Sequence, residues 1–259
     1  MIEIEHLTKR YEQKAAAFAL TDPEIQQVTA NMLAAYARRR NLVLRIAQEL
    51  ESEKVLVTPP QGAFYFFLDF RPLKMTSLEL CERLLEEAGT TPPGADGVVF
   101  LPYLAGERSP IWDPSATGAF VGLTLAHGRG HLARAILEAS ALAIRHVAEP
   151  MLAAGVRVTA MRACGGPARS EMWNQIKTDV TGFPVLVPAV LETAVLGSAM
   201  LGAVAIGACP DVPSAVRSMT RIERRLAPRP DVRATYDRAF DIYTGLYPAL
   251  RPVLQGSDR

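Results

Sequence analysis

The sequence has few of the features that would assign a function class at once. It contains three cysteines, Cys81, Cys164 and Cys209, which are far apart and form no CxxC or Cys/His spacing. That spacing argues against a disulfide framework and against a zinc site, and it fits a reduced, cytoplasmic protein. The formal net charge is +1, so no global field favours nucleic acid or an anionic membrane as a partner.

Long apolar runs and phosphate-loop signatures are also missing from the sequence. The longest apolar stretch, Ala194 to Cys209, is shorter than the roughly 20 residues of a membrane span, and we predict a buried helix there. The charged start MIEIEHLTKRYEQK is not a signal peptide. No GxxxxGK[ST] occurs, which excludes a P-loop NTPase. Small molecules and other proteins remain as partners.

What is present is an alternation of strand and helix patterns in the second part of the chain. We predict strands over 156–163 and 184–187, and helices over 131–152, 170–181 and 193–207. This order predicts an α/β layer architecture. In the first part, 22–50 has helical spacing, 55–58 and 63–70 have strand composition, and 78–88 is predicted as a helix that Gly89 ends.

The stretch RACGGPARSEMWNQIKTDV, residues 162–180, carries the strongest chemical signal. Gly165 and Gly166 stand where a strand passes into a helix, and glycines there let backbone N–H groups approach a phosphate or a ribose. A tight structural turn is the alternative. The loop GERSPIWDP brings Glu107, Arg108 and Asp113 together, where a salt bridge or cap competes with a catalytic role.

Three motifs resemble the FGGY family of carbohydrate kinases, xylulokinase-like members above all. They are FLPYLAGERSPIWDPSATGAFVGL, then GAFVGL followed after seven residues by HLARAILE, and the glycine stretch continued by TGFPVLVP and ETAVLGSAMLGAVAIG. The resemblance covers about 95–252. It implies an incomplete actin-like, ribonuclease-H-like ATPase domain that uses ATP and Mg²⁺, with nucleotide contacts at Gly165, Gly166, Ala168 and Ser170. Pro167 and Thr117 depart from the family pattern.

The first part resembles other families. DPEIQQVTANMLAAYARRRNLVL, PPQGAFYFFLDF and SLELCERLLEEAG are similar to the carboxy-terminal portion of an aspartate-class, fold-type I aminotransferase, and MIEIEHLTKRY is similar to the first strand of an ABC-transporter ATPase. The resemblances imply three segments: an ATPase-like strand stub over 1–12, an aminotransferase-like α+β segment over 13–94 and a kinase-like domain over 95–259. The lysine that would hold pyridoxal phosphate cannot be placed, so that cofactor is not expected.

Two function hypotheses from different classes follow from these resemblances. In the first, the chain is the ATP-binding half of a carbohydrate kinase, binds a nucleotide and, with further residues, a sugar, and is catalytically incomplete as it stands. In the second, it is a non-catalytic chimeric scaffold whose hairpin at 55–70 pairs with the strand that follows Gly118. Residual aminotransferase chemistry is a third and weaker hypothesis. Exposed apolar edges would favour a homodimer.

Overall fold

A computed structural model describes residues 75–255 continuously and, before them, 56–58, 67–69 and a scattered set of helical positions. The chain divides into two compact units, 1–80 and 81–259. The predicted stub over 1–12 and its junction with the next segment lie outside the described residues. The helical positions are 23, 26, 27, 30, 31, 33, 34, 37, 38, 40, 41, 44 and 45.

The first unit has the α+β content that the sequence predicts. Its described positions between 23 and 45 are helical, and strands β1 (Leu56–Thr58) and β2 (Phe67–Asp69) form an antiparallel pair with Leu56 opposite Asp69. In the described residues β1 and β2 make a sheet of two strands. The scaffold hypothesis requires this hairpin to pair with the strand after Gly118. Among the described residues, that strand instead pairs with 99–101.

Helix α1 (Ser77–Thr90) begins at a capping box. The Thr76 hydroxyl accepts a hydrogen bond from the Glu79 N–H at 3.1 Å, and the Glu79 carboxylate accepts one from the Thr76 N–H at 2.6 Å. These two bonds satisfy N–H groups that a helix start leaves without partners. The predicted end at Ala88 is two residues too early, because Gly89 lies inside the helix, which ends at Thr90.

The larger core of the second unit surrounds strand β3 (Val99–Leu101), which pairs antiparallel with β4 (Ala119–Val121). Side chains alternate across a strand, so Val99 and Leu101 enter one apolar cluster while Phe100 enters another. The long helices α2 (Arg129–Ala153) and α6 (Arg233–Gln255) cover this strand. Two tyrosines of α6, Tyr236 and Tyr243, face this core and are buried.

The second sheet has the order β5–β6–β7 and carries the glycine stretch. Strand β5 (Met161–Arg162) runs parallel to β6 (Val185–Pro188), and β7 (Ile222–Leu226) is antiparallel to β6. The predicted strand over 156–163 is wrong in length, because within the described residues only Met161 and Arg162 pair with a neighbouring strand. The run RIERRLAPRP contains β7 although its composition is basic and polar, because pairing with β6 overrides that composition.

Three further helices follow Gly166 along the chain: α3 (Glu171–Thr181), α4 (Thr193–Ala205) and α5 (Val212–Met219). Helix α3 packs on β6 and β7, and α4 packs on α5. Helix α4 was predicted to be buried, and this is wrong, because Met200 is its single buried residue. Val195 and Leu201 of α4 are 70% and 61% exposed. In the described part of the chain, no helix is both long and apolar enough to span a membrane.

A buried ion pair within α2 is hydrogen-bonded to Tyr236 of α6 and so joins the two helices of the larger core. Arg134 Nε lies 2.7 Å from Glu138 Oε1, and Arg134 also donates to the Tyr236 hydroxyl at 2.8 Å. The same Glu138 oxygen accepts from the Gly94 N–H at 2.9 Å and from the Tyr236 hydroxyl at 3.0 Å. Burial raises the pKa of the Glu138 carboxyl, and these donors oppose that rise. The network fixes the turn before β3 to α2 and α6.

Candidate functional site

The glycine loop begins directly after β5. The backbone conformation of this loop explains why the first of its two glycines, Gly165, is a glycine. Gly165 has φ 72° and ψ −171°, a combination that is essentially restricted to glycine. A short 3₁₀ turn, Gly166–Arg169, follows and leads into α3. Any side chain at 165 would strain this turn, so the fold itself requires Gly165.

Gly166 has a different environment. Its φ is not in the left-handed region, and a Cβ built on it would have no atom within 4 Å. The residue is exposed, and its N–H donates no hydrogen bond among the described residues. Neither packing nor backbone conformation in the described structure therefore requires a glycine here. A group that approaches the backbone from outside would require one.

The loop lies at the carboxyl ends of two parallel strands. The Gly165 N–H donates to the carbonyl of Leu191, which follows β6, at 2.8 Å. Arg169 of the glycine loop and Glu192, which follows Leu191, form an exposed ion pair at 3.4 Å. In open α/β sheets, ligands bind in the crevice beyond the carboxyl ends of the strands. These contacts therefore hold the loop at the edge of the sheet where a ligand is expected.

Ser170 and Ala168 have different positions in this loop. The Ser170 hydroxyl accepts from the Trp173 N–H at 3.2 Å as the N-cap of α3, which leaves its own proton free to be donated. Ala168 is fully buried, and its carbonyl accepts from the Asn174 side chain at 2.8 Å. Ala168 thus stabilises the turn from its buried side, whereas Gly166 is exposed and Ser170 is half-buried.

A cavity of about 380 Å³ lies beside the loop, at the lower end of the volumes typical of small-molecule pockets. Cys164 and Pro167 line it, and none of the four predicted site residues does. Lys177 and Trp173 face it from α3, with the Lys177 ammonium 4.6 Å from the centre of the Trp173 ring. Sequence reasoning missed this pair, although their spacing of four residues on a helix would have placed them on one face.

The GERSPIWDP loop is held by its own acidic residues. The backbones of Glu107 and Asp113 exchange hydrogen bonds at 2.9 and 3.0 Å, and Asp113 caps Ser115 and accepts from the Tyr247 hydroxyl. Hydrogen bonds from Ser115 and Tyr247 lower the pKa of Asp113 to about 2. The interpretation of Asp113 as a loop cap is the one that this geometry supports.

Three histidines of the second unit, His127, His131 and His146, act as cap or packing residues. His127 Nδ1 accepts from the Thr124 N–H, and His131 Nδ1 accepts from the Gly128 N–H at the start of α2. His146 packs between the rings of Phe240 and Tyr243. Within 75–255 and the shorter described stretches, no three His, Cys, Asp or Glu side chains are placed to hold a metal ion.

Comparison with known sequences identifies relatives for most of the chain. The model of the FGGY family of carbohydrate kinases, C-terminal domain, matches residues 21–206. Xylulose kinase of Escherichia coli (strain K12) is 40% identical over 109 residues, which are 42% of this chain and 22% of that protein. Gluconokinase of Bacillus subtilis (strain 168) is 43% identical over 105 residues, 39% and 20% of the two chains. The chain thus spans about a fifth of these relatives' length.

Solved structures give the same result for the fold. The crystal structure of xylulose kinase from Rhodospirillum rubrum has a TM-score of 0.61 at 34% identity and covers 71% of this chain and 36% of its own. Ligand-bound xylulose kinase from Lactobacillus acidophilus has a TM-score of 0.61 at 26% identity, with coverage of 77% and 43%. The predicted α/β fold class, an incomplete actin-like, ribonuclease-H-like ATPase domain, is confirmed. The chain belongs to the FGGY family of carbohydrate kinases, as a member of its C-terminal domain.

Proposed function

We propose that this chain is the nucleotide-binding part of a carbohydrate kinase, which transfers a phosphoryl group from ATP to a sugar hydroxyl, and that it is catalytically incomplete as it stands. The observation that carries the proposal is the open environment of Gly166. This residue is exposed at the carboxyl end of a parallel strand pair, and nothing within the described fold requires a glycine there. Family membership supplies the reaction class.

In this proposal the predicted site residues have different roles. The backbone of Gly165 and Gly166 lies against the nucleotide, the Ser170 hydroxyl donates a hydrogen bond to it, and Ala168 holds the turn through Asn174. The start of α3 adds the positive end of a helix dipole, which favours an anionic or polar group. Mg²⁺ is proposed to enter with ATP, because that ion is commonly held by substrate phosphates and few carboxylates.

The test is a matched pair of glycine substitutions. Gly166→Ala adds a methyl group where the fold has open space, and Gly245→Ala does the same within α6, also with no atom within 4 Å. We expect both variants to fold, and Gly166→Ala to weaken binding of Mg²⁺ and ATP about tenfold or more, measured by calorimetry. Gly245→Ala should bind as the unmodified chain does.

Two results would overturn the proposal. One is the absence of heat on titration of the unmodified chain with millimolar ATP and Mg²⁺. The other is equal ATP affinity for the Gly166→Ala and Gly245→Ala variants, which would leave the glycine pair as a structural turn. Both variants should first show a cooperative melting transition, so that lost binding is not confused with lost folding.

The remaining sequence predictions are kept as proposals. They are the composite origin of 1–94, its boundaries near 12 and 94, the weaker aminotransferase hypothesis, a cytoplasmic location and a homodimer. The family match begins at residue 21, inside the aminotransferase-like segment, and 81–94 lie within the second compact unit. The exposed Val195 and Leu201 on α4 support the homodimer, which sedimentation at several concentrations would test.

A further inference from the structure

Asn174 lies in the first turn of α3, and its side chain reaches back to the glycine loop. The residue is fully buried. Its Nδ2 donates to the Ala168 carbonyl at 2.8 Å, and its Oδ1 accepts from the Lys177 ammonium in a longer bond of 3.4 Å. One buried amide therefore connects the glycine loop to the next turn of the helix.

The two partners fix the orientation of this amide. A carbonyl can only accept a hydrogen bond and an ammonium can only donate, so Nδ2 must face Ala168 and Oδ1 must face Lys177. The reversed amide would place oxygen against oxygen at one end and donor against donor at the other. Lys177 is itself half-buried and lies over Trp173, with its ammonium 4.6 Å from the ring centre. The amide is therefore held with its donor toward the loop.

Ala168 transmits this restraint to the glycine pair, Gly165 and Gly166. Its N–H donates to the Gly165 carbonyl at 3.1 Å, so Ala168 is bonded to the start of the loop and to Asn174 at the same time. Gly166 lies between the two bonded loop residues and is exposed, and its N–H donates no hydrogen bond among the described residues. The position of the Gly166 backbone therefore depends on what holds the residues on either side of it.

The hydrogen bond from Asn174 is also the shortest one that holds this turn from below. The Ala168 N–H bond to Gly165 is 3.1 Å long and the Ser170 N–H bond to Pro167 is 3.4 Å long, whereas the bond from Asn174 is 2.8 Å long. A buried carbonyl that loses its donor costs free energy, because water does not replace the lost bond. The turn can recover that free energy only by moving toward another donor.

We propose that Asn174 is a positioning residue for nucleotide binding, which holds the Ala168 carbonyl and thereby fixes the backbone of Gly165 and Gly166 against the nucleotide. Lys177 acts through Asn174, because it fixes the orientation of the amide. The inference rests on the proposed function, since it concerns the same loop. Asn174 is fully buried and offers no surface to a ligand, so its effect on binding is transmitted by Ala168.

The test removes the donor and keeps the shape of the side chain. Asn174→Asp places a carboxylate oxygen against the Ala168 carbonyl, and two acceptors repel each other. Thr178→Val is the matched control, because Thr178 is also fully buried in α3 and its hydroxyl donates to the backbone carbonyl of Asn174 at 2.9 Å. This control loses a buried hydrogen bond within the helix, not one to the loop. Cooperative melting of both variants is established before binding is measured.

Two measurements separate positioning from stability. Calorimetry with ATP and Mg²⁺ should show about tenfold weaker binding for Asn174→Asp, whereas Thr178→Val should bind as the unmodified chain does. Amide hydrogen exchange without nucleotide should be faster at Ala168 in Asn174→Asp and unchanged there in Thr178→Val.

A second pair of variants decides the question if Asn174→Asp does not fold. Lys177→Met removes the donor to Asn174 Oδ1, so exchange at Ala168 should become faster and ATP affinity should fall severalfold. Lys177→Arg keeps a cationic donor and should show neither change. Because exchange is measured without nucleotide, it is independent of any direct attraction between Lys177 and ATP.

Two results would overturn the inference while the proposed function stands. One is ATP binding by the unmodified chain with equal affinity for Asn174→Asp and Thr178→Val. The other is unchanged exchange at Ala168 in Asn174→Asp, or in Lys177→Met where that variant is the one that folds. Absence of ATP binding by the unmodified chain is a different outcome, because it removes the proposed function and the inference with it.

Discussion

Replacing Glu138 by glutamine should destabilise the second unit strongly, although the two side chains have almost the same shape. Glu138 is 3% exposed and Arg134 is 4% exposed, and their charged atoms lie 2.7 Å apart. Glutamine keeps an oxygen that can accept from Gly94 and Tyr236 but leaves the guanidinium without a counter-charge. Breaking a buried pair by removing one partner costs about 3–5 kcal/mol in the free energy of unfolding.

The double variant Arg134→Met with Glu138→Gln separates the charge effect from the loss of contacts. Each single substitution leaves one buried charge unpaired, whereas the double variant leaves neither. It should therefore be less destabilised than the sum of the two single variants, by about 2 kcal/mol, a coupling of the size measured for residues in contact. In the double variant, the amide oxygen of the new glutamine can still accept from the Gly94 N–H, as the carboxylate of Glu138 does.

Urea unfolding at neutral pH measures these differences through the fluorescence of Trp173. Its indole N–H donates to the Ser140 hydroxyl at 2.8 Å, so it reports on the contact between α2 and α3 in the same unit. Trp112 is 80% exposed and should change little on unfolding. The reasoning would be refuted if Glu138→Gln changed the unfolding free energy by less than about 0.5 kcal/mol, the usual range for surface substitutions.

Two further predictions concern single side chains. The pKa of Asp113 is lowered from 3.8 to about 2 in the folded state, so its carboxylate contributes stability that is present above about pH 4 and lost between about pH 4 and pH 2. The stability advantage over Asp113→Asn should shrink across that window in urea unfolding, and a constant difference would contradict this. Ser170→Ala should lower the stability of α3 by about 1 kcal/mol through its lost N-cap. Ser170→Asp should retain most of that stability in thermal melts, and equal losses in both variants would exclude the cap as the cause.

Motif spacing predicted the second part of the chain well, and its errors have a common cause. The helices α2 and α3 follow from apolar residues at helical spacing, which is a local property of the sequence. Strand assignments over 156–163 and at Ile222–Leu226 were wrong in length or missed, because a strand exists through pairing with a distant segment. Nothing local in RIERRL indicates that β6 lies beside it.

Burial of α4 was wrong for a related reason. The composition of ETAVLGSAMLGAVAIG is apolar all round, which normally indicates a helix within a core. Whether a core surrounds it depends on the other elements of the fold, and Val195 and Leu201 remain exposed. Composition states which surface a helix could bury, and the tertiary contacts decide what is buried.

The sequence alone determined the helices α2 and α3, the family resemblance and the position of the glycine pair, because each of these is recorded in residue types and spacing. The tertiary structure alone decided that Gly165 is needed for its backbone conformation while Gly166 faces open space, and that Ala168 is buried beneath them. It also placed Lys177 and Trp173 beside the cavity that adjoins the glycine loop. These distinctions depend on atoms brought together from distant parts of the chain, which no local pattern specifies.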